Sequence, residues 1–423
     1  MRDEYFPDGQ DDDLQGSHLI DECRDAFDNG TLASLTFSEE EFEYLLEYFA
    51  EEAEDEIVVV LAESAYEKYP YSTEIIIRYS DVLIAGNSPV KAMEILSARL
   101  ALDPGNYDIL FLLGRGEIKL GNYQQAGEYI NRALTLGRES VPDMLITAGQ
   151  DYIEQNEFER ALEYFDTALN YDKEELSVYE DIAFCLEKLE KPEESLKYYL
   201  RYLDKDPFSD YVWFNVGTLY ARSKNYDKAL EAFEYAIALN PENSSAIYNK
   251  AIVYIDTFRY ETGIRTFKEL LKHEPGNIYA MITIADASLK IDDPESARLY
   301  YKMALETDPQ DIDANTGIAN LYMKQGDYYN ALFHLRSIAD SPDVEYSVLE
   351  DQLLVAYRKT GNKEFMLYYL LSQYYLKKFA NFNLYTEMLT EDDKLWIKRL
   401  YTLLPDLKNE PALTKKILKG KTR

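Results

Sequence analysis

Between Asp210 and Asn243 the apolar residues fall into two helical stripes separated by a short polar stretch. Trp213, Val216 and Tyr220 follow the i, i+3, i+7 spacing of one helix face, and Ala229, Phe233 and Ala236 mark a second face. Lys224-Asn225-Tyr226-Asp227 supplies the turn between them. Gly217 and Ala229 are small at positions where two helices must cross closely. Pro241 closes the segment, because proline cannot continue a helix. The pattern predicts a hairpin of two antiparallel helices.

The hairpin recurs. Pro207, Pro241, Pro275 and Pro309 are spaced by 34 residues, and Pro70 and Pro104 keep the same interval. Ser244–Asn277 repeats the frame with Ala251, Tyr254, Gly263, Phe267 and Pro275, and Ile278–Asp311 with Ile284, Ala285, Ala297, Tyr301 and Pro309. Ile312–Glu345 keeps Ile318, Ala319, Tyr322 and Ala331 but has Asp343 in place of the proline. Upstream, the frame continues through Leu176–Ser209, Pro142–Glu175 and Tyr107–Val141, the last with one extra residue. Thr73–Asn106 and Glu39–Ser72 match more weakly, and Tyr346–Phe379 reads as a degenerate last unit.

This 34-residue unit resembles the tetratricopeptide repeat, which reads W-x2-L-G-x2-Y followed by A, F, A and P; Val216 stands where the repeat has Leu. The resemblance implies an all-α, right-handed α-α superhelical solenoid of about ten hairpins over residues 39–379. Such a stack leaves an apolar face at each end, which needs a cap. Residues 19–38 are expected to be an N-terminal helical cap, and residues 380–405, with Leu384, Met388, Leu395, Ile397, Leu400 and Leu404, a C-terminal one. Residues 1–18 read as an acidic disordered arm, being polar and carrying Asp11-Asp12-Asp13. Residues 406–423 read as a basic tail.

Charge narrows the partners. The 423 residues carry a formal net charge of −34. Residues 1–56 hold 20 acids against only Arg2 and Arg24, so over half of the excess sits there. Nucleic acid needs a basic footprint, and an anionic membrane surface is disfavoured for the same reason. No apolar leader segment follows Met1 and no run of about 18 apolar residues exists, so the expected location is cytoplasmic. Two distant cysteines, Cys23 and Cys185, read as reduced thiols.

Candidate chemistry is sparse. His18, His273 and His334 lie near no second His or Cys at metal-ligand spacing, and Gly114-Arg115-Gly116 does not extend to a dinucleotide fingerprint. No phosphate-binding loop or nucleophile elbow occurs. The expectation is no enzyme, no metal and no cofactor.

The resemblance implies a protein-interaction scaffold whose first helices line a concave groove with positions 2, 5, 9 and 12 of each unit. Carried onto this chain, the candidate partner-binding residues are Phe111, Arg115, Phe184, Tyr211, Phe214, Tyr248 and Tyr279, with Ile146, Gln150, Glu180, Thr218, Ile252, Ile282 and Asp286 between them. Each either faces the groove or packs between adjacent first helices. A related class clamps acidic C-termini with Lys and Asn at set positions. Around Asn215 and Asn249 those positions hold Glu180, Phe184, Phe214 and Thr218, so no clamp forms. The expected partner is a protein or peptide of apolar or basic character. The alternative is a structural protein that self-assembles into a homo-oligomer, its oppositely charged termini favouring head-to-tail contact.

Overall fold

The computed structural model describes residues 12–386 and 394–405, apart from 87, 174, 339, 340 and 342. Among the described residues every regular element is helical. The chain divides into two compact units, Met1–Lys205 and Asp206–Arg423. The N-terminal unit opens with α1 (Asp12–Asp28) and a 3-10 turn at Leu32–Ser34. Five hairpins follow: α2 (Glu39–Glu51) with α3 (Asp55–Lys68), α4 (Thr73–Ala85) with α5 (Pro89–Leu100), α6 (Tyr107–Lys119) with α7 (Tyr123–Leu136), α8 (Val141–Glu154) with α9 (Phe158–Ala168), and α10 (Leu176–Lys188) with α11 (Pro192–Leu203).

The C-terminal unit holds five more: α12 (Asp210–Arg222) with α13 (Tyr226–Leu239), α14 (Ser244–Asp256) with α15 (Tyr260–His273), α16 (Ile278–Lys290) with α17 (Pro294–Thr307), α18 (Ile312–Gln325) with α19 (Tyr328–Ile338), and α20 (Tyr346–Thr360) with α21 (Lys363–Tyr375). It ends with α22 (Phe379–Thr386) and α23 (Lys394–Leu403). The first helices begin where the proline interval places them, the fourth one residue early at Val141.

Local chemistry explains the phasing. The residue before most first helices is a capping residue whose side chain accepts a backbone N–H of the first turn: Ser38, Ser72, Asn106, Ser209, Asn243, Asn277 and Asp311. Inside nine of the ten hairpins a described residue reverses the chain in the left-handed conformation, such as Asn156 (φ 60°), Lys224 (φ 60°) or Asp292 (φ 60°). There the next N–H reaches back to close the preceding helix, as from Asn225 to the Tyr220 carbonyl at 2.8 Å. Glycine is required where the two helices cross: a Cβ on Gly217 would stand 2.6 Å from the Phe233 ring, and one on Gly149 2.6 Å from Phe165. Phe165 and Phe233 are fully buried in those seams.

The helices form two rows. Each first helix packs on its own second helix, and first helices of successive hairpins also touch, continuously from α2 to α10. Second helices show no comparable contact among the described residues. In the N-terminal unit the first-helix row is thus the more closely spaced of the two.

The ends depart from the simple pattern. The sequence places a disordered arm over residues 1–18, yet α1 starts at Asp12; residues 1–11 lie outside the described residues. Ile20, Cys23 and Ala26 recur at helical spacing and bury against Leu45, Leu46 and Phe49, which supplies the apolar anchor that the charged composition masks. At the other end α21 is buried on every side from Glu364 to Gln373. It packs against α20, α22 and α23, and Phe382, Leu400 and Leu404 join its core. The basic tail 406–423 lies outside the described residues.

Candidate functional site

The candidate residues all sit on first helices, but their surroundings differ between the two units. In the N-terminal unit Arg115 is held inside the row. Its Nε donates to Asp151 Oδ2 at 2.6 Å, its Nη2 to Asp151 Oδ1 at 3.2 Å, and its Nη1 to Asp81. Burial works against its charge, yet the hydrogen bonds it donates to Asp151 and Asp81 hold the guanidinium above its ordinary value. Burial likewise keeps the Asp151 carboxyl raised, even beside Arg115. Arg115 therefore bridges α4, α6 and α8 and has no free fork for a partner. Phe111 is half-buried against the core around Met144 and Leu145. Phe184 is half-buried too, edge-on to Phe158 at 6.2 Å, with the Lys188 ammonium 5.0 Å over its ring.

Alongside Ile146 and Gln150, several other inner positions of this unit are acidic. Glu43, Glu74, Asp108, Asp143 and Glu180 occupy positions 2 or 5 of successive first helices, and Asp181 follows directly. Surrounding protein raises the Glu43, Asp108, Glu180 and Asp181 carboxyls above their ordinary values. Like charges add to the shift, Glu74 for both Glu43 and Asp108, and Asp181 for Glu180. None of the four is fully buried.

In the C-terminal unit the same positions are aromatic and aliphatic. Tyr211 is 50% exposed and Tyr279 72%. Phe214 leans on Phe233 at 6.2 Å and Tyr248 meets Phe267 edge-on at 5.5 Å, both half-buried. Thr218 accepts from Asn249 at 3.4 Å, and Ile252 and Ile282 are partly open. Asp286 accepts the Tyr301 hydroxyl proton. At α18 the character changes again: Thr316, Asn320 and Met323, at positions 5, 9 and 12, are buried. α20 packs on α18 more extensively than any other first helix packs on its neighbour. The spacing that places the candidate residues leads on α18 to Asp313, Thr316 and Asn320.

Reactive groups are quiet. Cys23 and Cys185 are free, buried thiols, both pushed by burial up to about 12. His334 bonds to Asn315 at 2.9 Å and stacks on Tyr322, and burial, with the Lys302 charge, lowers it to about 4. Among the described residues no three His, Cys, Asp or Glu side chains gather as metal ligands. No described helix is long and apolar enough to cross a membrane. A crevice of about 240 Å³ opens between α13, α14 and α15, where Lys250 is already tied to Glu234 at 3.1 Å.

Sequence models of the tetratricopeptide repeat match residues 107–138, 146–210 and 210–243. This is a tetratricopeptide repeat protein. The C-terminal part of a TPR repeat-containing protein from Cytophaga hutchinsonii aligns with a TM-score of 0.50 at 18% identity, over 57% of this chain and 98% of that one. That likeness establishes the fold alone. Pseudomonas aeruginosa PilF aligns with a TM-score of 0.40 at 21% identity, over 49% of this chain and 95% of its own. In sequence, the BBSome complex member BBS4 homolog of Drosophila melanogaster is 24% identical over 153 residues, 36% of this chain. The match spans about a third, 32%, of that relative's length. Tetratricopeptide repeat proteins bind other proteins or peptides and are in general scaffolds without enzymatic activity.

Proposed function

We propose that this chain is a non-enzymatic scaffold that holds a segment of another protein on the inner face of its C-terminal unit, against α12, α14 and α16. The observation that carries this reading is the row of solvent-open aromatic groups there, Tyr211 and Tyr279 above all, flanked by half-buried Phe214 and Tyr248. Rigid aromatic anchors beside adaptable polar neighbours such as Thr218 and Asn249 are what peptide-binding surfaces enrich. The net charge of −34 favours a partner segment that is apolar or basic. Arg115, Phe111 and Phe184 act in this reading through packing, and the binding energy comes from the C-terminal row.

Panning a phage-displayed random peptide library against the protein tests it. Enriched peptides, measured by fluorescence anisotropy, should lose at least about tenfold in affinity on Tyr211→Ser/Tyr279→Ser. Tyr71→Ser, at an exposed tyrosine of the N-terminal unit, should leave affinity unchanged. Failure to enrich any peptide, or affinity indifferent to the double substitution, refutes the reading.

A further inference from the structure

The second helices of the C-terminal unit carry a charge opposite to that of the chain. α15, α17 and α19 together hold six Lys and Arg against four Glu, in a protein of formal net charge −34. The second helices α3, α9 and α13 are each net acidic. Among the described residues Arg265, Lys268, Lys272 and Lys302 form no ion pair, whereas Arg298 and Arg336 are tied to Glu295 and Glu364. The unpaired cations are all exposed. Two contacts join the three helices into one face. The Lys268 ammonium lies 5.5 Å over the Tyr300 ring, from α15 to α17, and the Lys302 charge acts on His334, from α17 to α19.

The same face leaves apolar groups in water. Tyr329 and Phe333, one turn apart on α19, are 85% and 65% exposed, and Leu299 on α17 is 55% exposed. Leu299 and Phe333 are 34 residues apart and hold equivalent positions on their two helices. Large apolar side chains grouped in solvent mark a contact surface. The cations around them set its sign: the matching surface brings carboxylates beside aromatic or aliphatic groups.

One segment of this chain has that composition. Residues 1–11, which precede α1 and lie outside the described residues, carry Asp3, Glu4, Asp8 and Asp11 around the adjacent pair Tyr5-Phe6, against Arg2 alone. We propose that the α15–α17–α19 face binds the acidic segment 1–11 of a second copy of the chain. Tyr5 and Phe6 rest on Leu299, Tyr329 and Phe333, and the flanking carboxylates meet Arg265, Lys268 and Lys302. Asp3–Asp8 can reach about 20 Å, and α17, with 14 residues, is of the same length. Each copy carries one segment and one face, so the contact runs head to tail. It uses second helices and leaves the aromatic first-helix row open, so it goes beyond the function proposed above and does not depend on it.

Sedimentation velocity of the full chain tests the contact. The protein should associate as its concentration rises through the micromolar range, and less so in high salt. Tyr5→Ser/Phe6→Ser, on the segment, and Lys268→Glu/Lys302→Glu, on the face, should each abolish association, with an unchanged melting temperature confirming the fold. Mixed together, these two variants share one intact segment and one intact face, and they should form a heterodimer and nothing larger. Arg132→Glu/Lys197→Glu reverses the same charge at exposed second-helix positions of the N-terminal unit and should leave association intact. A full chain that stays monomeric throughout overturns the proposal. So does association that survives either variant, a mixture of the two that stays monomeric, or equal loss on Arg132→Glu/Lys197→Glu. Peptides selected by the aromatic row should still bind Lys268→Glu/Lys302→Glu, so the two readings fail separately.

Discussion

The two units share one architecture and differ in what they show on it. Both are built from five capped hairpins with the same small-against-aromatic seams, Gly149 on Phe165 in one and Gly217 on Phe233 in the other. Yet beside half-buried Phe111 and Phe184 the inner positions of the N-terminal unit carry Glu43, Glu74, Asp108 and Glu180, with Arg115 locked between Asp81 and Asp151. Those of the C-terminal unit carry Tyr211, Phe214, Tyr248 and Tyr279. The seams are constrained by packing at interior density, and the inner positions are not, so they are free to diverge. A repeat array can thus place two different chemistries on one scaffold without altering its backbone.

The comparison breaks first if the shared scaffold is not shared in energy. Phe165→Ala and Phe233→Ala each leave a cavity in an equivalent seam and should each cost about 3–5 kcal/mol in chemical denaturation. A loss confined to one unit would mean that the seams are not equivalent supports. The next test separates structure from binding within the inner row. Arg115→Met strands Asp151, whose side chain is 5% exposed, and should cost about 3 kcal/mol while leaving peptide affinity in the C-terminal unit unchanged. Weakened peptide binding by the folded variant would return Arg115 to the partner surface.

The smallest effect is in pH. Among the described residues of the N-terminal unit, every carboxyl displaced from its ordinary value is raised: Glu43, Asp108, Asp151, Asp166, Glu180 and Asp181. The stability such groups contribute is complete below their ordinary values and is lost as pH rises through the raised ones. The lowered carboxyls, Glu274, Asp293, Glu350 and Glu364, all lie in the C-terminal unit. Their contribution is present above the ordinary values and is lost as pH falls through the lowered ones. Hydrogen exchange, corrected for the intrinsic rate, should show the N-terminal helices gaining protection as pH drops from 7 toward the carboxyl range. The α15, α17, α20 and α21 region should lose protection only at lower pH. Parallel behaviour of the two units would remove the electrostatic difference between them.

Much of this was legible in the chain itself. The 34-residue proline interval, the Ser, Asn and Asp caps and the seam residues are local signals, each acting within one or two turns, so hairpins and their boundaries could be read residue by residue. α1 begins at Asp12, within the polar, acidic stretch read as a disordered arm, and continues into the stretch read as a helical cap, where Ile20, Cys23 and Ala26 are three apolar positions among acids. They count only once the Leu45–Phe49 surface is there to receive them. Arg115 could be placed on the inner row from its position, but its two partners lie 34 and 36 residues away in sequence.

What the amino-acid sequence determined, then, is the repeat: helix period, turn chemistry and capping are set by neighbours along the chain and need no tertiary knowledge. What only the tertiary structure decided is which inner positions remain open. α20 packs on α18, where Thr316 and Asn320 are buried, while Tyr211 and Tyr279 stay in solvent. Exposure depends on the packing of helices one full repeat apart, and that is a property of the folded stack.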